Sequence, residues 1–343
     1  MSLAHVQLKM IEFAYDFPKG VNLMKCIGVL TSGGDTPGMN AAIRAVFKEG
    51  ESRGINVMGI YHGYKGLIAG MVRQLTHEDV ANVMHKGGTV LRTARSEEFR
   101  TPEGFQKALD MLHAFDIEGL IVIGGDGSYR GAKMLADSGI KTIGIPGTID
   151  NDLGYTDFTI GFDTAVNTIT SEIYKIRDTM RAHDRVGVIE VMGRNCGDIA
   201  LWSGVAGAAD IILVPESQLS WEDATRQLVT NKLKGKLTSI VIIAEGAGRA
   251  SDFANYVREQ SDIDIKGIVP GYIQRGGNPT AFDRVLAARL GQRAVELLDA
   301  EVGGRAVGIH DNHIVDVSLE DAIALPDNFD EKLYRFNSVL AKF

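Results

Sequence analysis

The chain has 343 residues, of which 45% are hydrophobic and 7% aromatic, and this length is enough to bury two separate cores. Its formal net charge is −8, from 36 basic and 44 acidic side chains, so the overall charge gives no reason to expect nucleic acid or an anionic membrane as a partner. A bound anion would therefore have to be held by local groups.

The cysteines and the apolar runs indicate where the protein works. Cys26 and Cys196 are the only cysteines, and each lies in an apolar segment, which predicts a reducing compartment such as the cytoplasm and no disulfide framework. No apolar run reaches the roughly 18 residues that a membrane-spanning helix needs. Residues 1–24 lack the order of a signal peptide. We interpret them as an N-terminal extension, either a cloning remnant or the product of an upstream start.

Short β-branched runs alternate with longer helical stretches along the chain. This alternation predicts βαβ units, and hence an α/β fold with mostly parallel sheets. The first series has predicted strands and helices at 26–30, 38–53, 55–61, 103–115, 119–125 and 141–147. The second series has them at 163–182, 186–193, 198–208, 210–216, 221–233, 239–246 and 265–272.

The two series predict two domains that meet near Gly161. We expect the first domain to contain residues 25–161 and about 275–323, and the second to contain residues 162–274 and about 324–343. Residues 280–300 have apolar positions at helical spacing and could return to pack on the first domain. The sequence leaves that crossing open.

Three polar motifs follow predicted strands, which is where ligands collect in open α/β sheets. The first is TSGGD at residues 31–35, whose paired glycines let the backbone approach a phosphate, although such a pair alone is about as often a tight turn. The second, GGDGS at residues 124–128, places Asp126 among three glycines before a helix. We interpret Asp126 as a ligand for Mg²⁺ on nucleotide phosphates, with a helix cap as the alternative.

The third motif, PGTIDND, places Thr148, Asp150 and Asp152 at alternate positions after the strand at 141–147. Alternate residues of an extended segment point to the same side, so this segment would line a pocket with one hydroxyl and two carboxylates. Phosphoryl transfer to an alcohol needs a base for the alcohol's proton, and a carboxylate can serve as that base. A solvent-exposed acidic loop is the alternative.

Five motifs, SGGD, GGDGS, PGTIDND, VMGRNCGD and IQRGG, occur in an order and at separations that resemble the bacterial-type ATP-dependent 6-phosphofructokinases over about residues 25–342. The resemblance implies two Rossmann-like three-layer α/β/α domains, the phosphofructokinase fold. It also implies phosphorylation of fructose 6-phosphate at its 1-hydroxyl by ATP with Mg²⁺ as cofactor, the committed step of glycolysis. A cytoplasmic homotetramer with shared sites, and ADP or phosphoenolpyruvate as effectors, are further implications.

The resemblance also assigns roles to individual residues, with Asp150 as the general base and Asp126 on the metal. The catalytic set would be Gly34, Arg95, Thr148, Asp150 and Arg194. ATP would contact Gly34, Tyr64, Arg95, Ser96, Arg100, Asp126, Gly127 and Ser128. Fructose 6-phosphate would contact Thr148, Asp150, Asp152, Met192, Gly193, Arg194, Glu245, Lys266, Tyr272 and Arg275, with Arg185 supplied by a neighbouring subunit.

Two glycines favour ATP as the donor, while other positions depart from the family pattern. Pyrophosphate-dependent relatives usually carry Asp and Lys where this chain has Gly127 and Gly147, and those side chains fill the space of the ATP α-phosphate. Lys266 replaces a usual arginine and Tyr272 a usual histidine, which predicts weaker or differently cooperative binding of fructose 6-phosphate. Ser96 replaces a common phenylalanine, which would loosen the adenosine contact.

The effector site implied by the resemblance is also altered. Its residues would be Arg44, Lys48, His77, Arg177, Asp210, Lys234 and Lys236. Lys48 and His77 replace usual arginines, Asp210 a glutamate and Thr238 a histidine. Because lysine and histidine lack the bidentate fork of arginine, we expect weaker phosphate binding and a blunted allosteric response.

Two other functions stay open at this point, a pyrophosphate-dependent phosphofructokinase and a nucleotide-sensing homologue that has lost turnover. The intact Arg95, Asp126 and Asp150 argue against lost turnover. A dehydrogenase does not fit, because no G-x-G-x-x-G opens the first unit.

Overall fold

A computed structural model gives the structure of residues 24–342, so the predicted extension lies, apart from Met24, outside the described residues. This range contains eleven strands, β1 (Cys26–Thr31), β2 (Asn56–Ile60), β3 (Val72–Gln74), β4 (Gly119–Gly124), β5 (Lys141–Pro146), β6 (Val186–Val191), β7 (Ile211–Leu213), β8 (Ser239–Ala244), β9 (Ile265–Ile268), β10 (Arg305–His310) and β11 (His313–Ser318).

The same range contains twelve α-helices and two short 3₁₀-helices, the latter at Glu98–Arg100 and Gly271–Arg275. The α-helices are α1 (Met39–Ser52), α2 (Gly63–Ile68), α3 (His77–Val80), α4 (Pro102–Ala114), α5 (Asp126–Asp137), α6 (Phe162–Ala182), α7 (Asp198–Ala206), α8 (Trp221–Leu233), α9 (Ala250–Gln260), α10 (Ala281–Asp299), α11 (Leu319–Ala324) and α12 (Glu331–Leu340). Among the described residues, no helix combines the length and the apolar character needed to cross a membrane.

The strands of residues 24–342 form two sheets. The first has the order β11-β10-β5-β4-β1-β2-β3, in which the five central strands are parallel and the edge strands β3 and β11 are antiparallel. The second has the order β7-β8-β6-β9 with parallel pairs throughout. The predicted two-domain α/β architecture with mostly parallel sheets is confirmed.

Helices cover both faces of each sheet because the strands are apolar on both faces. In β4, Ile121 packs in the core beneath α1 and α10, whereas its neighbour Leu120 packs in the core beneath α4 and α5. In β8, Ile242 faces α6 and α7 while Val241 faces α8 and α9. The strands are therefore buried on both sides, and their polar ends are the places where functional groups can reach solvent.

Local chemistry explains where the observed elements differ from the predicted ranges. Helix α4 begins at Pro102, because the Thr101 hydroxyl accepts the Gly104 N–H at 3.1 Å and proline suits the first helical turn. Strand β9 was predicted to reach residue 272 but ends at Ile268. Pro270 cannot donate to a strand ladder, and the chain turns there into the 3₁₀-helix.

Helix α10 returns to the first sheet, which answers the question that the sequence left open. It packs on α1 and on β5. Asp283, in its first turn, is fully buried and accepts the N–H groups of Gly161 and Thr164 at 2.9 Å. Asp283 therefore caps the start of α6 and ties that helix to α10.

Candidate active site

The three polar motifs of the first sheet lie side by side at its carboxyl edge. Strands β5, β4 and β1 are neighbours in the sheet, so the loops that follow them are adjacent. The Ser32 N–H donates to the Ile123 carbonyl at 3.0 Å, and the Gly147 N–H donates to the Gly124 carbonyl at 3.0 Å. Backbone hydrogen bonds thus hold the TSGGD, GGDGS and PGTIDND segments against one another.

Close packing at Gly124 holds two of these loops together. A Cβ on this residue would lie 2.6 Å from the Ser32 carbonyl oxygen and 2.7 Å from the Ser128 Cβ, well inside van der Waals contact. Ser128 is 4% exposed, and its carbonyl accepts the hydroxyl of buried Tyr64 at 2.7 Å. Only glycine at position 124 lets the loops approach this closely.

The loop after β5 carries the candidate base. Asp150 is 5% exposed, and its backbone N–H donates to the Thr148 hydroxyl at 3.2 Å. Burial raises the pKa of Asp150 above its ordinary value, while the charges of Arg194 and Arg275 oppose the shift. A carboxylate whose pKa is raised is a stronger proton acceptor than a fully solvated one.

A second carboxylate lies two residues further on. Burial and the charge of Asp150 raise the pKa of Asp152 to about 6. Its Oδ1 is buried and has no hydrogen-bond partner among the described residues. Asp126, at the start of α5, is close enough for its charge to add to this shift. The carboxylates of Asp152 and Asp126 thus lie in the same region, and Asp152 Oδ1 has no hydrogen-bond partner among the described residues.

The second sheet contributes cationic and polar groups to the same place. Arg194, in the loop after β6, has its Nε 3.4 Å from Asp150 Oδ2, and its backbone N–H donates to Glu245 Oε1 at 2.8 Å. Glu245 follows β8, and its own N–H donates to the Val191 carbonyl. The carboxyl edges of the two sheets therefore face each other, with Asp150 between them.

Met192 and Gly193 lie between β6 and Arg194, beside the 3₁₀-helix of the IQRGG motif. The Met192 N–H donates to Gln274 Oε1 at 2.9 Å. Arg275 follows Gln274, and its guanidinium stands close to Gly34, since a Cβ on that glycine would be 3.5 Å from Nη1. Arg275 therefore reaches the first sheet's loops from the second sheet.

Within this chain, the remaining candidates for the sugar phosphate lie outside this site, and Arg185 and Lys266 are near the amino ends of β6 and β9, at the opposite end of β6 from Arg194. Arg185 and Lys266 both pair with Asp264, the latter at 3.4 Å. Tyr272 is 79% exposed, and the Arg275 guanidinium carbon lies 5.7 Å from the centre of its ring. Arg185, Lys266 and Tyr272 are thus on the surface, where a bound ligand or another subunit could reach them.

The candidates for ATP fall into a buried and an exposed group. Tyr64 stacks on Phe99 with 4.2 Å between ring centroids. Its hydroxyl donates to the Ser128 carbonyl, so Tyr64 supports the position of Ser128. Arg95, Arg100 and Gly127 are exposed around the loops. The Ser96 hydroxyl accepts the Phe99 N–H at 3.2 Å.

The candidate effector residues form two groups on different sheets. Lys48 of α1 contacts His77 of α3 and pairs with Glu51 at 3.1 Å. Beside the second sheet, Lys236 pairs with buried Asp210, and Arg177 donates to the carbonyls of Gly207 and Ala208. Arg44 lies on α1, and Lys234 follows α8.

Three residues of the site were missed by the sequence reasoning. They are Asn151, Asp198 and Gln274, and each contributes a hydrogen bond that holds a site loop. All three belong to motifs already recognised, PGTIDND, VMGRNCGD and IQRGG. Their position inside those motifs was the available signal, but the sequence does not show which partner each one meets.

Comparisons with known proteins agree with this geometry. Residues 26–298 match the family described as phosphofructokinase. The chain is 54% identical over 318 residues to the ATP-dependent 6-phosphofructokinase of Clostridium tetani and 53% identical to that of Alkaliphilus metalliredigens, each match covering 93% of this chain and 100% of the relative. Phosphofructokinase from Saccharomyces cerevisiae superposes with a TM-score of 0.83 at 34% identity, over 91% of this chain, which spans only 50% of the yeast chain. The family predicted from the five motifs is confirmed, and this chain belongs to the phosphofructokinase family.

Proposed function

We propose that this protein transfers the γ-phosphoryl group of ATP to the 1-hydroxyl of fructose 6-phosphate, giving fructose 1,6-bisphosphate and ADP. The observation that carries the proposal is the position of Asp150. This buried carboxylate lies between the loops of one sheet and Arg194 of the other, at 3.4 Å. Relatives with more than half of their residues identical carry the same activity in their names.

In the proposed mechanism Asp150 is the general base. It accepts the proton of the 1-hydroxyl while the hydroxyl oxygen forms a bond to the γ-phosphorus, and the bond to the bridging oxygen of ADP breaks with its electron pair. Burial raises the pKa of Asp150, and the charges of Arg194 and Arg275 oppose that rise. Thr148, Arg95 and the backbone of Gly34 stabilise the transferred group as its charge shifts, which lowers the barrier more than it strengthens ground-state binding.

Mg²⁺ fits the carboxylates at this edge of the first sheet. Asp126 would hold it, and the buried Oδ1 of Asp152, which has no hydrogen-bond partner among the described residues, supports a cation or donor in this region. When bound, the metal would neutralise charge on the ATP phosphates. The chain's own part is to present Asp126 at the start of α5, where the loop glycines leave the phosphates space.

The second sheet would bind the sugar phosphate. Met192, Gly193, Arg194 and Glu245 would contact the sugar, and Arg275 would contact the 6-phosphate. Lys266 and Tyr272 would assist, and Arg185 would act from a neighbouring subunit. The exposure of Tyr272 and the shared partner of Arg185 and Lys266, Asp264, support a site that a second subunit completes.

Packing at two glycines supports ATP as the donor. A Cβ on Gly127 would meet nothing within 4 Å, so open space lies beside the start of α5. A Cβ on Gly147 would lie 2.9 Å from Ile123 Cγ2 and 3.3 Å from Met39 Cε, so a lysine there would need the core to move. Free space for the nucleotide and the absence of room for that lysine both favour ATP over pyrophosphate.

The assembly and the regulation belong to the same proposal. We propose a cytoplasmic homotetramer in which residues 25–161 and about 275–323 bind ATP, while residues 162–274 and about 324–343 bind the sugar phosphate. ADP or phosphoenolpyruvate would act at the effector residues. The ion pairs of Lys48 and Lys236 with acids of this same chain support the expected weak effector response.

The deciding experiment is a coupled assay of fructose 1,6-bisphosphate formation with ATP or pyrophosphate as donor. We expect turnover with ATP and Mg²⁺ only. Asp150→Asn keeps the shape but removes the base, and should lower kcat roughly 10²–10⁴-fold. Asp157→Asn, which removes a carboxylate of the same loop that pairs with His310, is the matched control and should stay close to the wild type. Turnover with pyrophosphate, or an unchanged kcat in Asp150→Asn, would overturn the proposal.

A further inference from the structure

Asn151 lies between the two carboxylates of the catalytic loop and organises that loop from within. Its Oδ1 accepts the Thr159 N–H at 2.9 Å, and its Nδ2 reaches the Asp157 carbonyl at 3.3 Å. The Thr159 hydroxyl in turn donates to the Thr148 carbonyl at 2.6 Å. These bonds close the loop on itself, with Asp150 on its inner side.

The same side chain also leaves the loop and reaches the second sheet. Asn151 Nδ2 donates to Asp198 Oδ2 at 2.8 Å, across 47 residues of sequence. Asp198 is the first residue of α7, a helix that packs on β7 and β8. It is 6% exposed, and its Oδ1 has no hydrogen-bond partner in the described part of the chain. Through Asn151, the buried Asp198 of α7, on the second sheet, thus holds the loop that follows β5 of the first sheet.

Two cross-links run next to each other between the same two segments. Asp150 Oδ2 lies 3.4 Å from Arg194 Nε, and Asn151 Nδ2 lies 2.8 Å from Asp198 Oδ2. The partners Arg194 and Asp198 are four residues apart, whereas Asp150 and Asn151 are adjacent. The two links therefore fix both the distance of the loop from the second sheet and its rotation. A single Asp150–Arg194 pair, with the arginine side chain 58% exposed, would leave the rotation free.

Asp198 occupies a costly environment, which argues for a specific purpose. Burial raises the pKa of Asp198 to about 6, and the charges of Glu216 and Asp327 add to the effect. An acid that served only to fill space there would be less favourable than a neutral residue of the same size. The Asn151 amide is the side-chain donor that offsets this cost.

We infer that Asn151 and Asp198 act together as positioning residues, which hold the catalytic loop so that Asp150 faces the reacting hydroxyl. This inference rests on the proposed function of Asp150. A base displaced by about 1 Å can cost roughly 100-fold in rate, so a hydrogen bond that fixes its loop bears directly on kcat. The affinity for ATP depends on side chains outside this loop and should change less.

The test is a double-mutant cycle on the full-length enzyme, measured with ATP and fructose 6-phosphate. Asn151→Gly removes the amide and tolerates the positive φ of 55° at this position, and Asp198→Ala removes the acceptor. Each single variant should lower kcat by about 10–100-fold while the KM for ATP stays within about threefold. The double variant should be no slower than the slower single variant, because both changes remove the same bond.

Two further variants separate positioning from charge and from folding. Asp198→Asn keeps an oxygen acceptor for Asn151 and should recover most of the rate that Asp198→Ala loses. Glu216→Gln removes a neighbouring charge beside α7 but no bond to Asn151, and should leave kcat unchanged. Thermal unfolding of every variant identifies any that have simply lost their structure.

The outcomes distinguish the inference from the proposed function beneath it. If the wild type shows no ATP-dependent turnover, the proposed function fails. If the wild type turns over but folded Asp198→Ala keeps the wild-type kcat, the positioning inference fails. It also fails if the two single effects multiply in the double variant, or if Glu216→Gln loses as much rate as Asp198→Ala.

Discussion

The carboxyl edge of the first sheet, beside Asp150, and the surface around Asp264 of the second sheet are built differently. At the first sheet's edge, backbone hydrogen bonds and the close approach at Gly124 hold the loops, and Tyr64 and Ser128 are buried. On the second sheet, Arg185 and Lys266 lie near the amino ends of β6 and β9, at the opposite end of β6 from Arg194, and each pairs with the exposed Asp264. Together with the exposed Tyr272, we call these residues the outer second edge. The first edge is held by backbone hydrogen bonds and close packing. The outer second edge is held by exposed ion pairs that a ligand can replace.

The difference determines what a substitution costs. Forcing an atom into a closely packed turn costs about 1–3 kcal/mol of stability and displaces the backbone groups that meet a ligand. An exposed ion pair contributes about 0–1 kcal/mol, so Asp264 can give up its cations to a phosphate with little loss. Changes at the first edge should therefore appear in stability and activity together, whereas changes at the outer second edge should appear in affinity alone.

The largest effect expected of the three that follow is that of Gly124→Ala. The new methyl group would meet the Ser32 carbonyl at 2.6 Å, so we expect the free energy of unfolding to fall by roughly 1–3 kcal/mol and ATP turnover to fall with it. Gly127→Ala is the control for stability, because a Cβ there meets nothing within 4 Å. Chemical denaturation of both variants measures the difference. Equal stability of the two variants would show that the first edge is not closely packed at Gly124.

A second, smaller effect concerns Asp152. Its pKa is raised to about 6, so the native state binds this proton more tightly than the unfolded chain does, and the contribution to stability falls as the pH rises from about 4 to about 6. Asp152→Asn removes the ionisable group, so this decrease in stability with rising pH should disappear. We expect the variant to be more stable than the wild type at pH 8 and equal to it below about pH 4.

Urea denaturation of the metal-free and nucleotide-free protein across this pH range measures the Asp152 effect. A stability difference that stays constant with pH would mean that the carboxylate is not held in an unfavourable setting. Activity should fall in the same variant, since a group kept at a cost to stability at this edge is expected to serve the reaction.

The elements that carry the first edge were predictable because their signals are local. An apolar run such as residues 119–125 ends in glycines and Asp126, and both the strand and the loop follow from those neighbours alone. Several predicted ends differ from the observed ones by a few residues, and a cap at Thr101 and a proline at Pro270 explain two of these differences. Parallel strand order then brings the loops together without further information.

The contacts between the two sheets could not be predicted in the same way. Arg194 meets Asp150 and Asp198 meets Asn151 only because two distant segments are brought together by the packing of α6, α7 and α10. The strands β10 and β11 were also missed. The side chains of β11 are partly exposed, and its polar residues interrupt the apolar pattern that marks the other strands. In β10 the four inner residues are buried, and only its ends, Arg305 and His310, are partly exposed. The sequence indicated the residue types of the site, and tertiary packing decided their partners.

The smallest effect is expected at the outer second edge, for the double variant Lys266→Arg with Tyr272→His. Arginine restores a bidentate donor and histidine the usual imidazole, so the half-saturation concentration for fructose 6-phosphate should fall several-fold, equivalent to about 1 kcal/mol. Both side chains are exposed, so the free energy of unfolding should not change. Initial-rate measurements at saturating ATP give the half-saturation concentration. If it equals that of the wild type, these two departures from the family pattern do not weaken binding. If stability changes instead, the outer edge is as firmly built as the first, and the contrast between the two edges does not hold.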